Sequence, residues 1–363
     1  MFKRIAWVSG FAFLAMGCAV SSGEGDDTDA GAELIRRQTE ALNTAPAAAL
    51  QALCERVFEV DHLIDVGGGA TLHVIEKFSG RSLLHLPRRA ILMITPTLVT
   101  NALYDADVPG DPSYNALDRA AGQGYFAFAP SYEGYEGSSQ PAEGKSVTAE
   151  RSLEQMSQIV AWIRRHRLAR KVDLYGMSLG ASIATALGGV ASPGNPNHVD
   201  RIVVAANVYG AFTPEAAAIF SPEFKAFLES IPGGYFTTDA SFYFPVLALA
   251  DPPALAWGLE NLPGTYSLGP TLEAFDLPIF DAASGRAPLL QAWGTFDPLT
   301  PESDVLEFQA EYGGPSELVT FEGGGHSPFL EPAKEQFWET AFDFWSRGEA
   351  HSISVCDILA GQH

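Results

Sequence analysis

The stretch that most constrains this chain is residues 171–189, Lys-Val-Asp-Leu-Tyr-Gly-Met-Ser-Leu-Gly-Ala-Ser-Ile-Ala-Thr-Ala-Leu-Gly-Gly. A short apolar run, Val172 to Tyr175, meets Gly176-Met177-Ser178-Leu179-Gly180, and a small-residue helical run follows at once. The order strand, sharp turn, helix presents Ser178 at the C-terminal end of a strand with its hydroxyl outward. Gly176 and Gly180 leave room where side chains two residues either side of the serine would collide. The backbone N–H of Leu179, at the start of the helix, is then placed to donate to an oxyanion. The bland alternative is a Gly-rich turn whose serine only caps a helix.

The rest of the chain alternates strand and helix patterns. Val57–Val66 and Thr71–Phe78, joined by Gly67-Gly68-Gly69, read as an antiparallel hairpin. Ala90–Thr95 is a continuous apolar run of the kind found in a central strand covered on both faces. Further strands are expected at Tyr125–Ala129, Lys171–Tyr175, Arg201–Asn207, Pro288–Trp293 and Glu317–Phe321. Helices are expected around Tyr114–Gly122, Thr148–Arg167 and Ala333–Trp345. Such alternation gives an α/β fold: a mostly parallel sheet with helices on both faces. Residues 209–283 break the rhythm and are rich in Phe, Tyr, Pro and Ala. They read as an inserted lid or cap between a core of 56–208 and its continuation, 284–350, with 351–363 as a tail.

Two partners for the serine follow late strands. Asp297 stands in Gly294-Thr295-Phe296-Asp297-Pro298-Leu299-Thr300-Pro301, and His326 in Glu322-Gly323-Gly324-Gly325-His326-Ser327-Pro328. A serine hydroxyl needs a base to take its proton, and that base works best when an acid fixes its tautomer. Ser178, Asp297 and His326 supply nucleophile, acid and base in the chain order Ser…Asp…His. The competitors weigh less. His62, His73 and His85 are read in early strands, His166 as a solvated residue at an Arg-rich helix end, and His351 as distant. Asp304 is read as a helix first-turn residue, and Glu133 and Glu136 as members of a solvated turn.

With three motifs each placed after a strand, the chain resembles the α/β-hydrolase superfamily over roughly residues 57–347. The resemblance implies the roles just given to Ser178, Asp297 and His326. It also implies a second oxyanion donor from the loop after Ala90–Thr95, at the N–H of Thr97 or Leu98, where Thr95-Pro96 stands in place of the His-Gly of many relatives. Ser131 replaces the aspartate of the family's Asp-x-x-Gly-x-Gly-x-Ser loop. Serine at the turn argues against the dehalogenases and epoxide hydrolases of the superfamily, which use aspartate there. The chemistry implied is ester hydrolysis of esterase or lipase type, without cofactor or metal. A peptidase, an acyltransferase or polyester-directed hydrolase, and a non-catalytic surface-binding lipoprotein are the alternatives. Ile94–Asn101 is also similar to a loop of polyhydroxyalkanoate synthases, but those carry cysteine where this chain has Ser178.

At the N-terminus, Lys3 and Arg4 precede a short apolar stretch, Ile5 to Met16, and then Leu14-Ala15-Met16-Gly17-Cys18. This is similar to a bacterial lipoprotein signal, in which residues 1–17 are removed and Cys18 carries the lipid. Plain secretion is the alternative. Residues 18–55 then read as a small, acidic tether leading into short helical pieces broken at Pro46. If Cys18 carries lipid, Cys54 and Cys356 are the remaining pair and are expected to form a disulfide in an exported protein, two free thiols being the alternative. The formal charge of −22 argues against nucleic acid or anionic lipid as a partner. The partner expected is a small or lipid-like ester, with contact to a membrane only through the N-terminal anchor.

Overall fold

The computed structural model describes residues 47–190, 192–348 and Cys356. Cys18, His351 and the whole signal and tether up to residue 46 lie outside the described residues. In chain order the core runs α1 (Ala47–Glu55), β1 (Val57–Asp65), β2 (Thr71–Ser79), α2 (Gly80–Leu84), β3 (Arg89–Ile94), α3 (Ala116–Gly122), β4 (Phe126–Pro130), α4 (Ala149–Arg167), β5 (Lys171–Met177), α5 (Leu179–Val190) and β6 (Ile202–Ala205). A cap follows: α6 (Pro214–Ile219), α7 (Pro222–Ser230), β7 (Tyr235–Thr237), α8 (Ala240–Leu247), α9 (Pro252–Asn261), β8 (Thr265–Ser267) and α10 (Gly269–Glu273). The core resumes with β9 (Leu289–Gly294), α11 (Glu302–Glu311), β10 (Ser316–Phe321) and α12 (Lys334–Ser346).

The main sheet has the order β1-β2-β4-β3-β5-β6-β9-β10. β1 pairs antiparallel with β2 and β2 antiparallel with β4, and the remaining pairs are parallel. A continuous apolar strand works here because its two faces enter different cores. Ala90, Leu92 and Ile94 of β3 face α4 and α5, packing with Met156, Ile159 and Leu187. Ile91 and Met93 point the other way, toward α3 and α12, with Leu117, Trp338 and Trp345. Alternation at period two, with both faces covered, is what a doubly wound sheet requires.

Local signals set the helix ends. The Thr148 hydroxyl accepts the Arg151 N–H at the start of α4, and Leu168 closes the helix in the left-handed region at φ 51°. Asn115 caps α3 through the Asp118 N–H. Cys54, near the end of α1, is joined to Cys356 by a disulfide across a Cα–Cα distance of 5.8 Å.

The cap enters between β6 and β9, which lie side by side in the sheet, so it adds nothing to the ladder. Its own two strands pair only with each other. No strand pattern stands out in residues 209–283 of the sequence, and the short hairpin there is three residues per strand, too brief for periodicity to mark.

Candidate active site

The β5–α5 turn is tight because backbone carbonyls fill the space beside its two glycines. Ser178 has φ +55°, a left-handed conformation that a non-glycine residue holds only when its surroundings impose it. A Cβ on Gly176 would lie 2.3 Å from the Gly180 carbonyl oxygen, and one on Gly180 would lie 2.1 Å from that of Ile94. The two glycines are therefore required by each other and by β3. The hydroxyl of Ser178 faces a cavity, and the Leu179 backbone opens α5 beside it.

Asp297 sits in the turn after β9. Its N–H donates to the Gly294 carbonyl, and its Oδ1 accepts from the N–H of Leu299 at 2.9 Å and of Thr300 at 3.3 Å. The His326 loop interlocks with this turn: Phe296 N–H donates to the Gly324 carbonyl at 2.8 Å, and Gly323 N–H to the Thr295 hydroxyl at 2.9 Å. A Cβ on Gly294 would lie 2.4 Å from the Gly324 backbone, so the close approach of the two loops needs glycine. The result brings His326 Nδ1 to 2.9 and 3.1 Å from the two Asp297 carboxylate oxygens, with both side chains buried. Ser178 and His326 line the same cavity. Among the described residues no hydrogen bond joins the Ser178 hydroxyl to the ring; such catalytic bonds tighten when substrate is bound.

Sequence reasoning missed Glu331. It is buried, and its two oxygens accept the N–H groups of Gly325 at 2.7 Å and Ser327 at 2.8 Å, straddling His326. Burial pushes its carboxyl up from the ordinary value, against the pull of those two N–H groups. The sequence signal was faint: one acid five residues beyond the histidine.

The loop after β3 corrects one expectation. Leu98 N–H donates to the Tyr135 hydroxyl at 2.8 Å inside the core, so it is not free to hold an oxyanion. Thr97 remains as the candidate, and its hydroxyl pairs with that of Thr271. Tyr132 donates to the Thr95 carbonyl at 2.8 Å, and Tyr243 to that of Leu98 at 2.6 Å. Burial pushes the Tyr135 hydroxyl up to about 12, so it stays protonated.

Other expectations also shift. Glu133 is buried rather than solvated: Arg151 grips its carboxylate at 2.7 and 2.8 Å, and Gln155 adds a third bond. Glu136 is exposed. Ser131, standing where the family has aspartate, is buried and accepts the Asn101 N–H, so the loop is braced by other means. Asp304 does open a helix, but it is buried and accepts N–H groups of Tyr209, Gly210 and Ala211 in the chain leaving β6. His85 follows α2 rather than lying in a strand. His166 is half-buried rather than fully solvated, with its ring stacked on Trp162 at 4.0 Å.

One group of possible metal ligands exists among the described residues: His62, Glu76 and His166, whose ligand atoms lie within 4.8 Å of one another. Arg167 holds both Glu76 oxygens, at 2.6 and 2.5 Å, and its fixed positive charge stands where a cation would bind. The cluster is an ion pair with histidine neighbours.

The cavity above Ser178 measures about 290 Å³. Its cap side carries Phe212, Phe220, Phe224, Leu228, Phe242 and Val246, and among the described residues no Asp, Glu, Lys or Arg lines it. A cavity of this size and lining has room for an apolar group of modest length.

A family model for the alpha/beta hydrolase family matches residues 108–338. The chain belongs to that family. Solved structures agree on the fold of this hydrolase. A putative aryl esterase from Burkholderia cenocepacia is 21% identical, with a TM-score of 0.53 over 78% of this chain and 97% of that one. An esterase from Exiguobacterium antarcticum is 17% identical, with a TM-score of 0.56 over 79% and 100%. A monoacylglycerol lipase from Paleococcus ferrophilus is 17% identical, with a TM-score of 0.55 over 76% and 98%. Among curated proteins, none matches the hydrolase by sequence.

Proposed function

We propose that this hydrolase is an exported serine esterase acting on carboxylic esters with an apolar acyl group. The observation that carries the reading is one cavity in which Ser178 and His326 meet an apolar wall, with the far nitrogen of His326 held by Asp297. Ser178 Oγ attacks the ester carbonyl while His326 Nε2 takes its proton. Asp297 holds the Nδ1–H, which fixes the tautomer and stabilises the imidazolium. The oxyanion accepts hydrogen bonds from the N–H groups of Leu179 and Thr97. As the tetrahedral carbon collapses, His326 returns the proton to the departing alkoxide, leaving an acyl-serine. Water, deprotonated by the same histidine, then releases the acid.

The uncharged wall weighs against a peptidase that binds a substrate's amino group. A chain with a formal charge of −22 has carboxylates in abundance, yet none among the described residues lines the cavity. Export rests on the N-terminal signal, with Cys18 as the lipid-bearing residue or, failing that, free secretion. Two of the structural neighbours are described as esterases, which is consistent with the reading.

Fluorophosphonate labelling of the folded domain followed by peptide mapping tests it, because the probe needs both an activated serine and an oxyanion site. Labelling at Ser178, with Ser178→Ala losing hydrolysis of a short p-nitrophenyl ester while keeping its melting temperature, is the expected result. Full activity in Ser178→Ala overturns the assignment.

A further inference from the structure

The loop carrying Thr97 is held from two sides, and one of those sides is the cap. Tyr132 and Tyr135, from the core loop after β4, bond Thr95 O and Leu98 N. Tyr243, on α8 of the cap, donates to Leu98 O at 2.6 Å. Thr271, on α10 of the cap, shares a 2.5 Å hydroxyl pair with Thr97. Leu98 needs such support, since its φ of +56° is one a leucine does not adopt unaided.

Tyr243 is itself pinned. Thr238 Oγ1 lies 2.8 Å from its hydroxyl, and the ring is buried against Phe242 at 5.5 Å between centroids. Thr271 is buried as well. With the cap seated both side chains are buried, so these bonds to the loop are made with little competition from bulk water. The same helix that carries Tyr243 contributes Phe242, Pro245 and Val246 to the cavity wall. Cap, cavity and loop are therefore one packed unit.

We propose that Tyr243 and Thr271 are positioning residues through which the cap assembles the oxyanion site. With Tyr132 holding the Thr95 carbonyl on one side, the bonds to the Thr97 side chain and the Leu98 carbonyl on the other bracket the peptide unit that carries the Thr97 N–H and so set its direction. The cap thus does more than cover the cavity: with the cap unseated the loop keeps only its core-side bonds and the donor is no longer aimed. This inference rests on the reading of Thr97 as an oxyanion donor in a serine hydrolase.

The test uses Tyr243→Phe and Thr271→Val, each of which removes one hydroxyl and keeps the shape, and the double variant. Steady-state kinetics on a p-nitrophenyl ester, the rate of fluorophosphonate labelling at Ser178 and the melting temperature are measured for each. Complete loss of one oxyanion donor lowers kcat by roughly 10²–10³. Partial misalignment in a single variant is expected to lower kcat about tenfold, and the double variant is expected to approach the full loss. KM stays within about threefold, labelling slows in parallel, and Thr271→Ser restores the rate, an outcome that general loosening of the cap does not give. Wild-type kcat in the double variant, or a change confined to KM, overturns the proposal while leaving the esterase reading intact. Failure of the wild-type protein to label at Ser178 overturns the reading beneath it instead. Should one single variant not fold, the other carries the same decision.

Discussion

Glu331→Gln is the substitution whose consequences the structure defines most closely. The carboxylate accepts two backbone N–H groups, at 2.7 and 2.8 Å, from the residues either side of His326. Glutamine keeps one oxygen and presents an NH₂ to the other N–H, so one bond is lost and two donors face each other. A buried hydrogen bond to a charged group contributes about 1.5–3 kcal/mol. Part of that is offset, because burial already disfavours the charged carboxylate and pushes its pKa up. A net loss of about 1–2 kcal/mol follows, or a fall of roughly 2–3 °C in melting temperature for a domain of this size. The larger effect is on chemistry. The Gly325–Ser327 segment orients the imidazole, and a displacement near 1 Å costs up to about 10²-fold in rate. The expected result is a kcat lowered roughly 10- to 100-fold on a p-nitrophenyl ester with a modest thermal shift. Wild-type kcat and melting in Glu331→Gln would show that the loop is held by its glycine interlock alone.

Two further outcomes follow from the core. Burial first, and then the Arg167 charge, push His166 down to about 4 from its ordinary 6.5. The unfolded chain therefore binds that proton before the folded one does, and stability is lost as pH falls from about 6.5 toward 4; with the ring partly exposed this is about 1–2 kcal/mol. Glu76 acts lower in the range: burial raises its carboxyl, but the bonds from His62 and Arg167 outweigh this and lower it, so its contribution is present above 4.5 and lost as pH falls through the folded value. Urea midpoints at pH 7 and pH 5 should differ in the wild type and converge in His166→Gln; an equal difference in both would sink the assignment. The Cys54–Cys356 bridge closes a separation of 302 residues, for which the chain-entropy model gives a ceiling of about 6 kcal/mol. Cys54→Ser is expected to melt several degrees lower, to the same point as reduced wild type, and unchanged melting in both would mean the ends are held by packing.

Much of the molecule was legible from local pattern. The central strands follow apolar runs, and β3 shows why: its neighbours cover both faces, so a continuous apolar run is what fits. Ser178 was marked by its glycines, whose space the Ile94 and Gly180 carbonyls fill. Asp297 and His326 were marked by Pro- and Gly-rich turns after strands, and the interlocking of those turns brings the two side chains within hydrogen-bond reach.

What only the tertiary structure decided are the contacts between segments far apart in the chain. Leu98 and Thr97 were equivalent as donors until Tyr135, 37 residues away, proved to hold the Leu98 N–H. Glu133 looked like a turn residue until Arg151 and Gln155 closed over it from α4. Tyr243 and Thr271 belong to a region with no readable period, and they matter because of which carbonyl and hydroxyl they reach. Periodicity and turn chemistry are properties of neighbouring residues, so a sequence displays them directly. A hydrogen bond between distant residues depends on where folding places both ends, and no local pattern encodes that meeting.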